Sequence, residues 1–131
     1  EGRLIVVFGS AGERDLQKRP IQGSLAATYA EELILTDEDP RLEDSTEILE
    51  QIGAGVREQW DSTGAKGVLD LIPDRTAAIE AAIERAKPGD TILCLGKGHE
   101  SSIIYADGPR PWDEEEVARE LLTKHGYEVS R

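Results

Sequence analysis

Three short stretches of this sequence concentrate residues able to bind a charged ligand. They are Gly9-Ser10-Ala11-Gly12-Glu13-Arg14-Asp15 with Lys18-Arg19-Pro20, Thr36-Asp37-Glu38-Asp39-Pro40-Arg41, and Gly96-Lys97-Gly98-His99-Glu100. In the first, a Gly-x-x-Gly turn precedes three cations, Arg14, Lys18 and Arg19. Glycines let backbone amides approach an anion at a helix start, and arginine grips a carboxylate or phosphate through two parallel hydrogen bonds. The stretch matches neither G-x-x-x-x-G-K-[ST] nor G-x-G-x-x-G. It reads either as a carboxylate or phosphate clamp or as a solvated charge cluster. The second stretch sets three carboxylates before a proline that fixes the turn and an arginine that can face back into it. Such a pair suits a zwitterion, with Arg41 on a carboxylate and Glu38 or Asp39 on an ammonium. One acidic loop with no second ligand cluster does not make a divalent-metal site, and no metal is expected.

In the third stretch two glycines bracket Lys97 directly after an apolar run, and loops so constrained bring backbone close to a ligand. His99 has the chemistry of a general base, but no Ser or Cys nucleophile is recognisably placed beside it. Asp74-Arg75 positions a ligand or, as readily, is an N-cap followed by a surface arginine. His125 reads as a partner for the C-terminal dipole of the last helix. Cys94 lies inside Ile92-Leu93-Cys94-Leu95 and reads as a small buried hydrophobe. With one Cys and two His the chain lacks a structural zinc set.

The elements that must position these residues alternate. Short β-rich apolar runs, Leu4 to Phe8, Leu33 to Thr36, Val68 to Ile72, Thr91 to Leu95 and Ser102 to Ala106, with a weaker one near Tyr127 to Ser130, are separated by segments of helical period. Helices are expected over Pro20 to Glu31, Ser45 to Ala54, Arg75 to Lys87 and Glu114 to His125. Asp44, Asp74 and Asp113 are their N-caps, and Gly126 is the C-terminal stop. Gly55 to Gly67 reads as a variable loop. The expected fold is α/β: a Rossmann-like three-layer domain, a mostly parallel sheet of about six strands with helices on both faces. In open parallel sheets ligands bind beyond the carboxyl ends of the strands. All three charged stretches follow strands, so all should open on one sheet edge.

Length and charge narrow the class. At 131 residues the chain is one domain, large enough to bury a core without disulfides. Its 27 acidic against 15 basic side chains give a net charge of -12, which repels phosphate backbones and argues against nucleic-acid binding. Its longest apolar run is far too short to span a bilayer, so no membrane partner is expected. The chain starts almost directly on a strand without an initiator Met, and an excised piece of a longer protein is expected.

In order and spacing, strand-G-x-x-G-E-R-D-x-x-K-R-P, T-D-E-D-P-R-x-E-D, D-R-x-x-A-I and G-K-G-H-E resemble the C-terminal domain of the Mur ligase family, from Leu4 to the last helix. The resemblance implies that residues 1–131 are the amino-acid-binding domain of a three-domain cytoplasmic ligase. The N-terminal and central ATPase domains would lie outside this chain. In such a ligase ATP converts the carboxylate of UDP-MurNAc-L-Ala-D-Glu to an acyl phosphate, and an amino acid's amine attacks it in peptidoglycan synthesis. ATP and Mg would be bound mainly by the central domain, and this domain alone would not catalyse. By motif match, Arg14 and Arg41 would hold a carboxylate of the incoming amino acid, and Gly96 and Glu100 its far ammonium. Glu38 and Asp39 would complete the substrate pocket, and Asp15 and Lys18 would face the ATP side of the cleft. Glu38-Asp39-Pro40-Arg41 departs at its first two positions from the D-N-P-R signature of diaminopimelate enzymes, which leaves diaminopimelate, lysine, ornithine or a glutamate-type substrate open. A Mur-like binding module, or an amide ligase acting on another substrate, is the alternative.

Overall fold

The computed structural model describes residues 2–12 and 16–129. Its centre is a parallel sheet of β1 (Leu4–Phe8), β2 (Glu32–Leu35), β3 (Val68–Leu71) and β4 (Thr91–Cys94) in the order β3-β2-β1-β4. These runs form strands because they are short, apolar and bounded by turn residues; the central β1 and β2 are covered on both faces, and the edge strands β3 and β4 are partly exposed. Alternation along β1 divides the core. Val6 and Phe8, with Leu33 and Leu35, meet α1 (Lys18–Tyr29) and α2 (Ser45–Thr63) on one side. Ile5, Val7 and Ile34 meet α3 (Arg75–Arg85) and α4 (Glu114–Lys124) on the other. The result is the three-layer α/β fold.

Among the described residues there are six strands, but they divide four and two. β5 (Ser102–Tyr105) and β6 (Gly108–Pro111) pair antiparallel as a separate hairpin. β6 is Gly-Pro-Arg-Pro; proline cannot donate to a ladder and is confined to strand edges, which hides this strand from a pattern reading. The weak strand expected near Tyr127 does not form over residues 127–129, and Ser130 lies outside the described residues.

The three expected aspartate caps are in place. Asp44 Oδ1 accepts from the Thr46 amide at 2.8 Å, Asp74 Oδ1 from that of Thr76 at 3.0 Å, and Asp113 Oδ1 from that of Glu116 at 3.0 Å. Gly126, at φ 89°, follows α4. The second helix corrects the expected loop at 55–67: α2 runs on to Thr63 and stops at left-handed Gly64. Gly53 and Gly55 argue for a break on propensity alone, but tertiary packing overrides it. A Cβ on Gly55 would lie 1.9 Å from the Pro20 carbonyl oxygen, and one on Gly23 2.1 Å from that of Ile52. The glycines are where α1 and α2 cross backbone to backbone.

Arg75, read from the sequence either as a ligand-positioning residue or as a surface arginine, is buried. Its guanidinium donates to both carboxylate oxygens of Glu114 at 2.9 and 2.8 Å and to the carbonyls of Asp37 and Leu95, each at 2.9 Å. One side chain therefore joins the loops after β2 and β4 to the start of α4.

Two substitutions test these supports in urea denaturation. Gly55→Ala should lower the unfolding free energy by about 1–3 kcal/mol through overpacking, despite alanine's better helix propensity; an unchanged midpoint would contradict the close crossing. Arg75→Met should cost about 3–5 kcal/mol by leaving Glu114 without its buried partner. A loss below about 1 kcal/mol, the range of exposed pairs, would show that the pair is solvated.

Candidate functional site

The loops after β1 and β2 lie against each other. The Gly12 amide donates to the Asp39 carbonyl at 2.6 Å, and Ala11 and Asp39 form an isolated parallel bridge. A Cβ on Gly9 would fall 1.9 Å from the Thr36 carbonyl oxygen, and one on Gly12 1.9 Å from that of Pro40. The Gly-x-x-Gly turn thus serves loop-to-loop packing. The Gly12 amide is spent within the protein rather than offered to an anion.

Beyond these loops opens a cleft of about 520 Å³, lined by Ser10, Ala11, Lys18, Gln22, Glu38, Asp39, Arg41 and Glu100. It gathers five of the expected site residues: Lys18, Glu38, Asp39, Arg41 and Glu100. Gly96 lies on a neighbouring apolar groove with Phe8, Leu25, Tyr29 and Leu95, and Gln22 and Glu38 line both spaces. Arg14 and Asp15 lie outside the described residues.

Arg41 has φ 58°, a left-handed conformation uncommon for a side chain of this size. Its amide donates to the Ile104 carbonyl at 2.9 Å, which holds the residue in place. Among the described residues its guanidinium has no hydrogen-bonding or ion-pair partner, and the same is true of the Lys18 ammonium and the Glu38 carboxylate. Burial pushes the Glu38 carboxyl up from its ordinary value, and the nearby Asp39 charge adds to the effect, against a smaller pull from Lys97. Gly96, at φ 106°, passes close to this carboxylate; a Cβ there would sit 3.1 Å from Glu38 Oε1.

Other charges are committed to the fold. Asp39 Oδ1 accepts from Lys97 Nζ at 2.9 Å and from the Ile104 amide at 2.9 Å. Lys97 Nζ also reaches Glu100 Oε1 at 2.7 Å. Lys97 is 1% exposed, and the sequence reading noted the glycines around it without giving it a role of its own. The available signal was its place between two glycines, both of which have positive φ and turn the loop so that the lysine points inward. Arg19, one of the three expected clamp cations, is also buried. It donates to Glu43 Oε1 at 2.9 Å, Gln51 Oε1 at 2.8 Å and the Ala11 carbonyl at 3.1 Å. That leaves Lys18 as the described cation of the first stretch that faces the cleft.

The remaining candidates fall outside the cleft. Asp37 is buried; burial raises its carboxyl, while hydrogen bonds from Ser45 and Tyr105 pull it back. Burial and the Asp37 charge push the Tyr105 phenol up to about 12. Burial pushes the Cys94 thiol up to about 11, which keeps it protonated and unreactive at neutral pH. His99 is exposed. His125 Nε2 lies 2.8 Å from Glu80 Oε2, which also accepts from Lys124 Nζ at 2.8 Å.

The cleft does not fit ATP with magnesium by itself. Its most buried carboxylate, Asp39, is paired with Lys97, the Gly12 amide is used internally, and the chain has no Walker-type loop. Among the described residues, the cleft charges without a hydrogen-bonding or ion-pair partner are the cations Lys18 and Arg41 and the Glu38 carboxylate. That combination suits a small ligand bearing both carboxylate and ammonium groups.

Residues 1–98 match the family described as Mur ligase, glutamate ligase domain. A UDP-N-acetylmuramyl-tripeptide synthetase of Roseiflexus sp. (strain RS-1) is 51% identical over 127 residues, covering 97% of this chain and 25% of that protein. One from Treponema denticola is 53% identical over 121 residues, covering 92% of this chain and 22% of that protein. A solved structure of a UDP-N-acetylmuramoyl-L-alanyl-D-glutamate--2,6-diaminopimelate ligase superposes with a TM-score of 0.81 at 32% identity, over 98% of this chain and 25% of that one. The chain therefore spans about a quarter of the length of these relatives.

A group whose carboxyl is raised by folding destabilises the folded state once it ionises. Glu38→Gln should therefore raise the thermal midpoint at pH 7, and the gain should vanish below about pH 4, where the unfolded-state carboxylate is protonated too. A substitution that is neutral or destabilising at pH 7 would show that the Glu38 carboxylate is adequately solvated or paired.

Proposed function

The chain belongs to the Mur ligase family, and on that premise we propose that it is the C-terminal, amino-acid-receiving domain of an ATP-dependent amide ligase of peptidoglycan precursor synthesis. In this reading the full-length protein adds a diaminopimelate-, lysine- or ornithine-type amino acid to UDP-MurNAc-L-Ala-D-Glu. ATP and Mg, held mainly by a central domain outside this chain, activate the acceptor carboxylate as an acyl phosphate, and the reaction runs in the cytoplasm. Among the described residues no helix is long and apolar enough to cross a membrane.

The observation that carries this reading is the pairing of open charges across one cleft. Arg41 and Glu38 face it without protein partners among the described residues, whereas Arg19, Arg75 and Lys97 are each bound into the fold. Arg41 holds a carboxylate of the incoming amino acid through bidentate hydrogen bonds, a role that motif match also gives Arg14, which lies outside the described residues. Glu38 and Glu100, with Gly96 alongside, take its ammonium, while Asp39 shapes the wall between them. Lys18 serves the phosphate-bearing side, the role that motif match also gives Asp15, which lies outside the described residues. The cleft thus binds and orients the amino acid so that its reacting amine stands toward the domain that carries the activated acceptor. Closure of that domain over the cleft excludes water and strengthens each of these contacts.

The test is amino-acid-dependent ATP turnover by the full-length protein with UDP-MurNAc-L-Ala-D-Glu and, in parallel, meso-diaminopimelate, lysine, ornithine and glutamate. One amino acid should support ligation. Arg41→Ala should raise KM for it roughly 10- to 100-fold, the worth of a charge-assisted hydrogen bond, with KM for ATP within about twofold. No turnover with any of the four would overturn the assignment.

A further inference from the structure

Lys97 is a buried cation that the proposed reaction does not use directly. Its ammonium touches two carboxylates that both line the cleft, Asp39 at 2.9 Å and Glu100 at 2.7 Å. The contact is built rather than incidental. Gly96 at φ 106° and Gly98 at φ 48° turn the loop so that the intervening side chain points inward. The Glu100 amide closes the same loop on the Lys97 carbonyl at 2.8 Å. Asp39 is the more deeply placed partner and has two further ties: its carbonyl accepts from Gly12 within the Ala11–Asp39 bridge, and its Oδ1 accepts from the Ile104 amide. An isolated buried ammonium would be expelled or neutralised, so Lys97 stays only because both carboxylates face it.

The arrangement has a chemical consequence. A pair of bare carboxylates is a ready receptor for an ammonium, and here the protein's own lysine already fills that place. What remains open to a ligand is the outer face of Glu100 and the unpaired Glu38. We propose that Lys97 is a positioning residue for amino-acid binding, which holds Asp39 and Glu100 in fixed geometry and neutralises them so that a ligand ammonium is directed to Glu38 and the outer oxygen of Glu100. This rests on the ligase reading above for its substrate, and on the ion-pair geometry alone for the restraint.

The experiment compares the full-length protein with Lys97→Met and with the double variant Lys97→Met/Asp39→Asn. Two readouts are taken: KM and kcat for the supported amino acid, and hydrogen–deuterium exchange in the peptide that carries Ile104. Lys97→Met should raise KM at least about 10-fold while kcat stays within about threefold, and should speed exchange of the Ile104 amide, whose acceptor Asp39 is no longer held. The double variant removes both members of the buried pair, which costs less folding stability than removing one. It should show slower exchange than Lys97→Met yet keep the raised KM, because Glu100 remains untethered; it also serves where the single variant does not fold. KM within about twofold of the unsubstituted protein in either variant, with exchange accelerated, would reduce Lys97 to a brace of the loop and overturn the proposal. Unchanged exchange in Lys97→Met would overturn it as well. A full-length protein that ligates no amino acid overturns the ligase reading instead; exchange then judges the restraint by itself, acceleration supporting it and no acceleration overturning it.

Discussion

Asp39 is the knot on which the sheet edge depends. Its carbonyl receives the Gly12 amide, and one carboxylate oxygen receives both the Lys97 ammonium and the Ile104 amide. Four segments distant in sequence, the loops after β1, β2 and β4 and the β5–β6 hairpin, meet through that one residue. Such convergence is possible only where backbones come very close, and the glycines at 9 and 12 provide the approach. A carboxylate that accepts several hydrogen bonds and an ion pair in a partly excluded environment is rigid because leaving any partner unmade costs more than the bond itself contributes.

The same economy governs the buried cations. In a chain of net charge -12, Arg19, Arg75 and Lys97 are buried, and each gathers oxygens from at least two segments. Arg19 joins α1 to the start of α2 and to the β1 loop, Arg75 joins the β2 and β4 loops to α4, and Lys97 joins the β4 and β2 loops. These pairs do not need to add net stability to be useful, since a buried ion pair barely offsets its desolvation. Their effect is to fix where the loops sit. The cations left at the cleft, Lys18 and Arg41, have no partner among the described residues and so suit a ligand, because structural demands are met by others.

Much of this was legible before any coordinates. β-branched runs ending in polar loops placed the four central strands, and aspartate caps placed the starts of α2, α3 and α4. The rule that ligands gather beyond strand ends brought Lys18, Glu38, Asp39, Arg41 and Glu100 to one cleft. What escaped was set by contacts remote in sequence. Whether an arginine is a clamp or a strut depends on partners 24 positions away for Arg19, 39 for Arg75 and, for the lysine at 97, 58. Local pattern carries no such information. The extension of α2 through Gly53 and Gly55 likewise reflects an opposing helix, not propensity, and the prolines of β6 conceal a strand that exists only as a partner of β5.

The physical state of the cleft follows from this division of labour. Arg41 is held in a left-handed backbone conformation that a large side chain rarely adopts, and Glu38 ionises against its burial. Both features cost folding free energy, offset only in part by the Arg41 amide's bond to the Ile104 carbonyl and by the pull of Lys97 and Arg75 on Glu38. Strain and desolvation of this kind persist where surrounding structure over-determines them. Here the Asp39 knot and the Arg75 strut supply that surplus. A ligand that gives Glu38 an ammonium offsets the desolvation of that carboxylate, and one that gives Arg41 a carboxylate uses a guanidinium already set in place by its backbone. The rigid elements are therefore not separate from recognition: by absorbing the strain, they allow the open charges to remain open until the complementary molecule arrives.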